Sequence, residues 1–199
     1  MKRTFTVDYN ITDYLRDIRR RLGDYRYRHS LCVAESAKVL AVRYGGDPGA
    51  AYAAGILHDV WKEASKEESL AFFRSHGVTL TAVEAASPML WHAMAGAIYI
   101  RETYDPGEEI VSAVRWHTTG RAGMTLAEKI LFTADFISED RDYPGVEDMR
   151  RRAEVSLTCA MAEGLRFTIN DLSEQGRAIH PDTLFAYNEI ILEERKQHG

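Results

Sequence analysis

Six side chains in the middle of this 199-residue sequence have the chemistry of metal ligands: His29, His58, Asp59, His92, His117 and Asp135. The densest point is Gly55-Ile56-Leu57-His58-Asp59, where a small-apolar run from Ala50 to Leu57 ends in an adjacent imidazole and carboxylate. The apolar residues should bury this run, yet its end carries two groups that are costly to bury unpaired. A divalent cation resolves the conflict, because it accepts a neutral imidazole and a carboxylate together. A metal so held acts as a Lewis acid and lowers the pKa of bound water, the equipment of a hydrolase.

Taken singly, each residue also has a structural explanation. Asp59 could bond its neighbours at a helix end, His29 could be a helix N-terminal residue, and His92 a partly buried core histidine. His117, after Trp116 at a helix end, could complement the dipole as a cation. Asp135 is the least readily explained this way: a carboxylate among Leu131, Ala134, Phe136 and Ile137 needs a partner. His76, next to Gly77, reads as a helix C-terminal cap, and His198 lies in the tail, so neither is counted.

The elements that must position these groups are helices. Ile11, Tyr14, Leu15, Ile18 and Leu22 mark one face of a first helix, whose other face carries Arg16, Arg19, Arg20 and Arg21, a solvated or phosphate-steering side. Arg28-His29-Ser30 is expected to open a second, with Val33, Ala37, Leu40 and Tyr44 inward and Gly45-Gly46 at its end. Asp47-Pro48 caps a third that runs to His58-Asp59. Ser65-Lys66-Glu67-Glu68 and Thr125-Leu126-Ala127-Glu128 are capping boxes, the first opening a helix that closes near Gly77. Ser87-Pro88 begins a helix with His92 in its first turns, and Asp105-Pro106-Gly107-Glu108 caps one that leads to His117. After a loop from Arg141 to Gly145, one long helix is expected from Val146 to about Gly164, and the last two segments meet at Ile179-His180-Pro181. With no alternating strand pattern, repeat or low-complexity linker, the expected fold is an all-α bundle of short helices.

Composition narrows the class. A hydrophobic content of 45% and a charged content of 28% are ordinary for a soluble globular protein. The net charge of −5 argues against a nucleic-acid binder and leaves room for a small anionic substrate. Cys32 and Cys159 read as small core hydrophobes. No apolar run nears the roughly 20 residues that cross a bilayer, and Met1-Lys2-Arg3-Thr4-Phe5 lacks a signal-peptide core. The expected location is the cytoplasm.

The order His, His-Asp, His, His, Asp on an all-helical chain resembles the HD-domain metal-dependent phosphohydrolase superfamily. The likeness extends to His29-Ser30-Leu31, to Ile56-Leu57-His58-Asp59 followed by Lys62, and to Arg115-Trp116-His117-Thr118-Thr119-Gly120-Arg121. It includes Leu126 to Phe136, Arg141-Asp142-Tyr143-Pro144-Gly145-Val146 and Ile179-His180-Pro181. In these blocks the chain resembles the bacterial YqeK-like family of symmetrical diadenosine tetraphosphate hydrolases, over roughly Asp24 to Leu192. Two departures stand out: Ser138-Glu139-Asp140 replaces the family's usual Glu-Pro pair after Asp-Phe-Ile, and Val60-Trp61 follows His58-Asp59 in place of Tyr-Ala. The first bears on the nucleotide loop, the second on the pocket wall.

The resemblance implies a single HD domain over residues 1–199, with a core of about 24–140 on which C-terminal helices within 146–196 pack. It implies an iron site of one or two ions, with His29, His58, Asp59 and Asp135 as ligands; manganese or another divalent ion would suit the same donors. His92 and His117 would face the substrate phosphates or complete a second metal position, and with Asp59 they form the expected catalytic group. Lys62, Asp135, Arg141 and the Ile179-His180-Pro181 turn would lie near the nucleotide, with Lys62 reaching a phosphate as a point charge and Arg141 and Arg121 gripping one bidentately. For Lys62 and Arg121 a plain surface role reads equally well.

The expected reaction is hydrolysis of diadenosine tetraphosphate to two ADP, with metal-bound hydroxide as nucleophile and no protein general base. The alternatives are another HD-type nucleotide phosphohydrolase or phosphodiesterase, a non-catalytic nucleotide-sensing module, and a structural adaptor with a histidine-rich core. The expected partner is a small dinucleoside polyphosphate or ADP-like nucleotide, with no nucleic acid and no membrane. The apolar residues of the terminal helices could support a homodimer.

Overall fold

A computed structural model describes residues 9–198, with side chains from 9 to 193. The readings made on Met1–Phe5 and on the His198 side chain lie outside these. Eleven α-helices and one 3-10 turn make up the described residues, with no strand among them. They are α1 (Ile11–Arg21), α2 (Asp24–Tyr44), α3 (Pro48–Leu57), α4 (Lys66–Ser75), α5 (Ala82–Ala86), α6 (Trp91–Tyr104), α7 (Glu108–Trp116), α8 (Leu126–Ile137), α9 (Val146–Val155), α10 (Leu157–Glu174) and α11 (Pro181–His198).

The helices α2 and α3 form the central pair, and α7 and α8 pack across them. Small residues allow this. At Gly55 an added Cβ would lie 2.4 Å from the Ala34 Cα of α2, so the two backbones meet where only glycine fits. Ala50, Ala53, Ala54, Ile56 and Leu57 are all buried around that contact. The interior they share with Val33, Leu40, Ile100, Val114, Ile130 and Leu131 is the main core. A second cluster, Phe132, Met161, Leu165, Ala186 and Ile190, packs α10 and α11 onto α8.

Local chemistry sets most helix ends. Ser65 and Thr125 accept from the backbone of Glu68 and Glu128, whose side chains reach back, so both capping boxes form. Asp47 caps α3 through the backbone N–H groups of Gly49 and Ala50. Gly45 closes α2 in the left-handed region at φ 77°.

Several expectations need correction. The helix α2 begins at Asp24, not at Arg28, so His29 sits inside a helix rather than at its start. Asp105 does not cap α7; it ends α6 with φ 43°, and Gly107 precedes α7. The expected long helix after Gly145 is two, because the Ser156 backbone is extended at φ −154° and its side chain caps α10 through Cys159 N. Ser87-Pro88 opens a 3-10 turn, Pro88–Leu90, before α6. Another capping box, Thr81 with Glu84, starts the short α5, which periodicity alone is too brief to reveal. Cys32 and Cys159 are half-buried rather than core residues. Among the described residues no helix is long and apolar enough to cross a membrane.

Candidate metal centre

Three of the histidines are built the same way. Each lies at a helix end or first turn, and its Nδ1 is 2.7 Å from the carbonyl three residues earlier: His58 to Gly55, His92 to Met89, His117 to Val114. A carbonyl only accepts, so each Nδ1 carries the proton and donates. Each Nε2 is then left with its lone pair, the tautomer a metal ligand needs. All three rings are buried.

These lone pairs converge. His92 Nε2 and His117 Nε2 are 3.1 Å apart. Asp59 Oδ1 lies 3.2 Å from His92 Nε2 and 3.8 Å from His117 Nε2. The other Asp59 oxygen, Oδ2, is 3.5 Å from His58 Nε2 and 3.3 Å from Arg26 Nη1. His29 belongs to the opposite edge, with Nε2 3.0 Å from Asp135 Oδ1 and Nδ1 2.8 Å from Asp140 Oδ2. Arg141 pairs with the Asp135 carboxylate, and its Nε donates to the Asp135 carbonyl at 2.8 Å.

The electrostatics call for a cation. Burial pushes the His58, His92 and His117 imidazoles below their ordinary pKa and keeps them neutral. Burial opposes ionisation of Asp59, but its polar surroundings, with the Lys62 ammonium beside it, outweigh burial and hold its carboxyl well below the carboxylate range. At Asp135 burial is likewise outweighed, by His29 and Arg141. His58 Nε2 is fully buried with no hydrogen-bond partner, an orphan acceptor among anionic neighbours. Three overlapping donor sets fit a bound ion: His29, His58 and Asp59; His58, His117 and Asp135; Asp59, His92 and His117. Within each, the donor atoms lie within 4.8 Å of one another. Nitrogen and carboxylate donors without thiolate suit a divalent ion of the iron, manganese or zinc type.

Beside the cluster is a cavity of about 230 Å³. His92, His117, Asp135 and Lys62 form one end, and Phe136, Phe167 and Leu172 give it an apolar wall. His180 lines it too, and its Nε2 is 3.7 Å from the buried Glu84. Lys62 Nζ is 3.1 Å from His92 Nε2. Of the other residues expected at the nucleotide, Arg141 is turned to Asp135, Ile179 is half-buried and Pro181 exposed, and none of the three lines the cavity.

Arg121 is not brought there. Its Nη2 pairs at 2.9 Å with Glu128, which is fully buried. Sequence reasoning missed Arg26 and Asp140. The first had a signal, since a residue three before His29 on one helix shares its face. Asp140 had none, because a loop's path does not follow from spacing.

A family model described as HD domain matches residues 26–140. The chain belongs to the HD-domain family. This HD chain is 39% identical over 175 residues to a protein of Halalkalibacterium halodurans named symmetrical bis(5'-nucleosyl)-tetraphosphatase, covering 87% of itself and 93% of the relative. A Bacillus subtilis protein of the same name is 35% identical, with 92% and 98% covered. A solved structure from Clostridium acetobutylicum, described as a predicted HD superfamily hydrolase involved in NAD metabolism, superposes with a TM-score of 0.89 at 30% identity over 94% of this chain and all of that one.

Proposed function

We propose that this HD chain hydrolyses diadenosine tetraphosphate symmetrically, adding water across the central P–O–P linkage to release two ADP. The observation that carries the reading is the convergence of imidazole Nε2 lone pairs and the Asp59 and Asp135 carboxylates beside a cavity open to solvent on one side. The relatives' shared name supplies the substrate.

In this reading His29, His58, Asp59 and Asp135 hold the metal, with iron as the resident ion. When bound, the ion supplies Lewis acidity toward a phosphoryl oxygen and lowers the pKa of water. His92 and His117 complete a second position with Asp59 or face the phosphates. Lys62 meets phosphate charge at the cavity end, while Arg141, which does not line the cavity, is held against Asp135, which does. The apolar wall of Phe136 and Phe167 excludes water from the nucleoside. His180, the imidazole of this cavity that stands apart from the ligand cluster, accepts from the Asp182 backbone N–H through Nδ1 and turns Nε2 toward Glu84, so activation of water is assigned to the centre itself.

Two further expectations belong here. The cytoplasm, where free nucleotides are held, is the proposed location. A homodimer is supported by Leu184, Phe185 and Leu192 of α11, which are 40%, 57% and 58% exposed.

The test is to determine the protein's metal content, incubate it with diadenosine tetraphosphate and resolve the products by ion exchange. ADP as sole product, lost on chelation and in Asp59→Ala, is the expected result. AMP with ATP would reject symmetrical cleavage. Bound metal and nucleotide without any product would indicate a sensing module.

A further inference from the structure

A substrate cut at its midpoint has two equal nucleoside diphosphate halves, one on each side of the reacting phosphates. The cavity beside the ligand cluster, about 230 Å³ and open on one side, is smaller than pockets that enclose a single drug-sized ligand, roughly 300 Å³ upward, so a dinucleotide must extend beyond it. A second groove of about 220 Å³ adjoins it. Lys62, Met89 and His92 line both. Because His92 Nε2 also lies 3.1 Å from His117 Nε2 and 3.2 Å from Asp59 Oδ1, the two lobes meet at the ligand cluster. That junction is where the central phosphates of a symmetrical substrate must sit.

The second lobe has the chemistry of a nucleoside diphosphate site. Lys62 and Lys66 bring ammonium groups, and Trp61, Pro88 and Trp91 give apolar surface. Lys66 is the first residue of α4 and is exposed. A cation at that position opposes the helix dipole, which Glu67 and Glu68 complement. Its charge therefore costs α4 stability while facing the groove, a local conflict of the kind found at functional positions.

We propose that this groove holds the second nucleoside diphosphate half of the substrate, with Lys66 on its phosphates and Met89 as the partition between lobes. The proposal rests on the symmetrical-hydrolase reading above. It makes the substrate span α4 and the α5–α6 connection on one side and α8 and α10 on the other. It also requires two ADP to bind each chain together after cleavage.

Two variants test it in the metal-loaded protein: Lys66→Glu, which reverses the charge, and Ala64→Phe, which fills the groove that Ala64 lines. Calorimetric titration with ADP should give two sites per chain in the unaltered protein and one in each variant. KM for diadenosine tetraphosphate should rise about tenfold, the loss of one charge-assisted contact, with kcat little changed. The melting temperature of Lys66→Glu should not fall, since Glu suits the start of α4. One ADP site in the unaltered protein, or unchanged KM in both variants, would overturn the second lobe. Failure of the unaltered protein to form ADP at all would instead sink the reading on which the lobe rests.

Discussion

Asp140 Oδ2 stands 2.8 Å from His29 Nδ1, and through this contact the loop after α8 sets the orientation of a ligand carried by α2. His29 is the one centre histidine whose Nδ1 is held by a carboxylate rather than a backbone carbonyl. A carboxylate behind an imidazole fixes its tautomer and raises its basicity toward a metal.

Asp140→Ala should therefore weaken metal binding by about 10–100-fold, with turnover recovering at saturating metal. Asp140→Asn should restore much of the loss, since an amide oxygen still accepts from Nδ1. Metal titration of the purified variants reads both. Unchanged affinity in Asp140→Ala would show that His29 needs no such support.

Gly55→Ala should be strongly destabilising. Its Cβ would meet Ala34 Cα at 2.4 Å and Ala34 N at 2.7 Å, backbone atoms that cannot turn aside. Forcing α2 and α3 apart should cost about 1–3 kcal/mol, and it displaces the Gly55 carbonyl that orients His58. Denaturant melts should show the loss, with reduced metal retention beside it.

Arg121→Ala should act on stability and not on chemistry. It strips the fully buried Glu128 of its 2.9 Å partner, although Ser112 and the Thr125 backbone still bond that carboxylate. A loss of about 1–3 kcal/mol is expected, with turnover per folded molecule retained. A raised KM at unaltered melting temperature would return Arg121 to the substrate site.

The metal-free protein should lose stability as pH falls from about 7 to 5.5. Burial depresses the folded pKa of His58, His92 and His117, so below about 6.5 the unfolded chain takes up protons that these folded rings refuse. His29 opposes the trend: burial lowers its pKa, but Asp135 and Asp140 outweigh that and raise it. Its contribution is present below the unfolded value and is lost as pH rises through the folded one. His76, raised by its bond to the Phe72 carbonyl and by Glu102, acts in the same sense as His29, and with three depressed rings against two raised the net slope is downward in acid. Thermal melts of chelator-treated protein across that range should show it, and a flat profile would mean the rings are not held neutral.

How far each feature could be read in advance depended on how local its cause was. The capping boxes at Ser65 and Thr125 and the glycine stop at Gly45 involve groups within a few residues, and they formed as expected. The break at Ser156 was missed because Val146 to Gly164 keeps a helical pattern on both sides of it. Asp105 was misread because an Asp-Pro pair resembles a cap, while the chain needed a left-handed residue there to leave α6.

The sequence by itself determined the helical class, the identity and order of the ligand candidates, and the likeness of their flanking blocks to the HD family. These follow from residue type and short-range spacing. Only the tertiary structure decided which atoms meet. It turned Arg121 toward Glu128, brought Asp140 to His29 across more than one hundred residues of chain, and set two cavities against His92. Spacing along a chain carries no distance between helices; close packing, beginning with Gly55 against Ala34, supplies it.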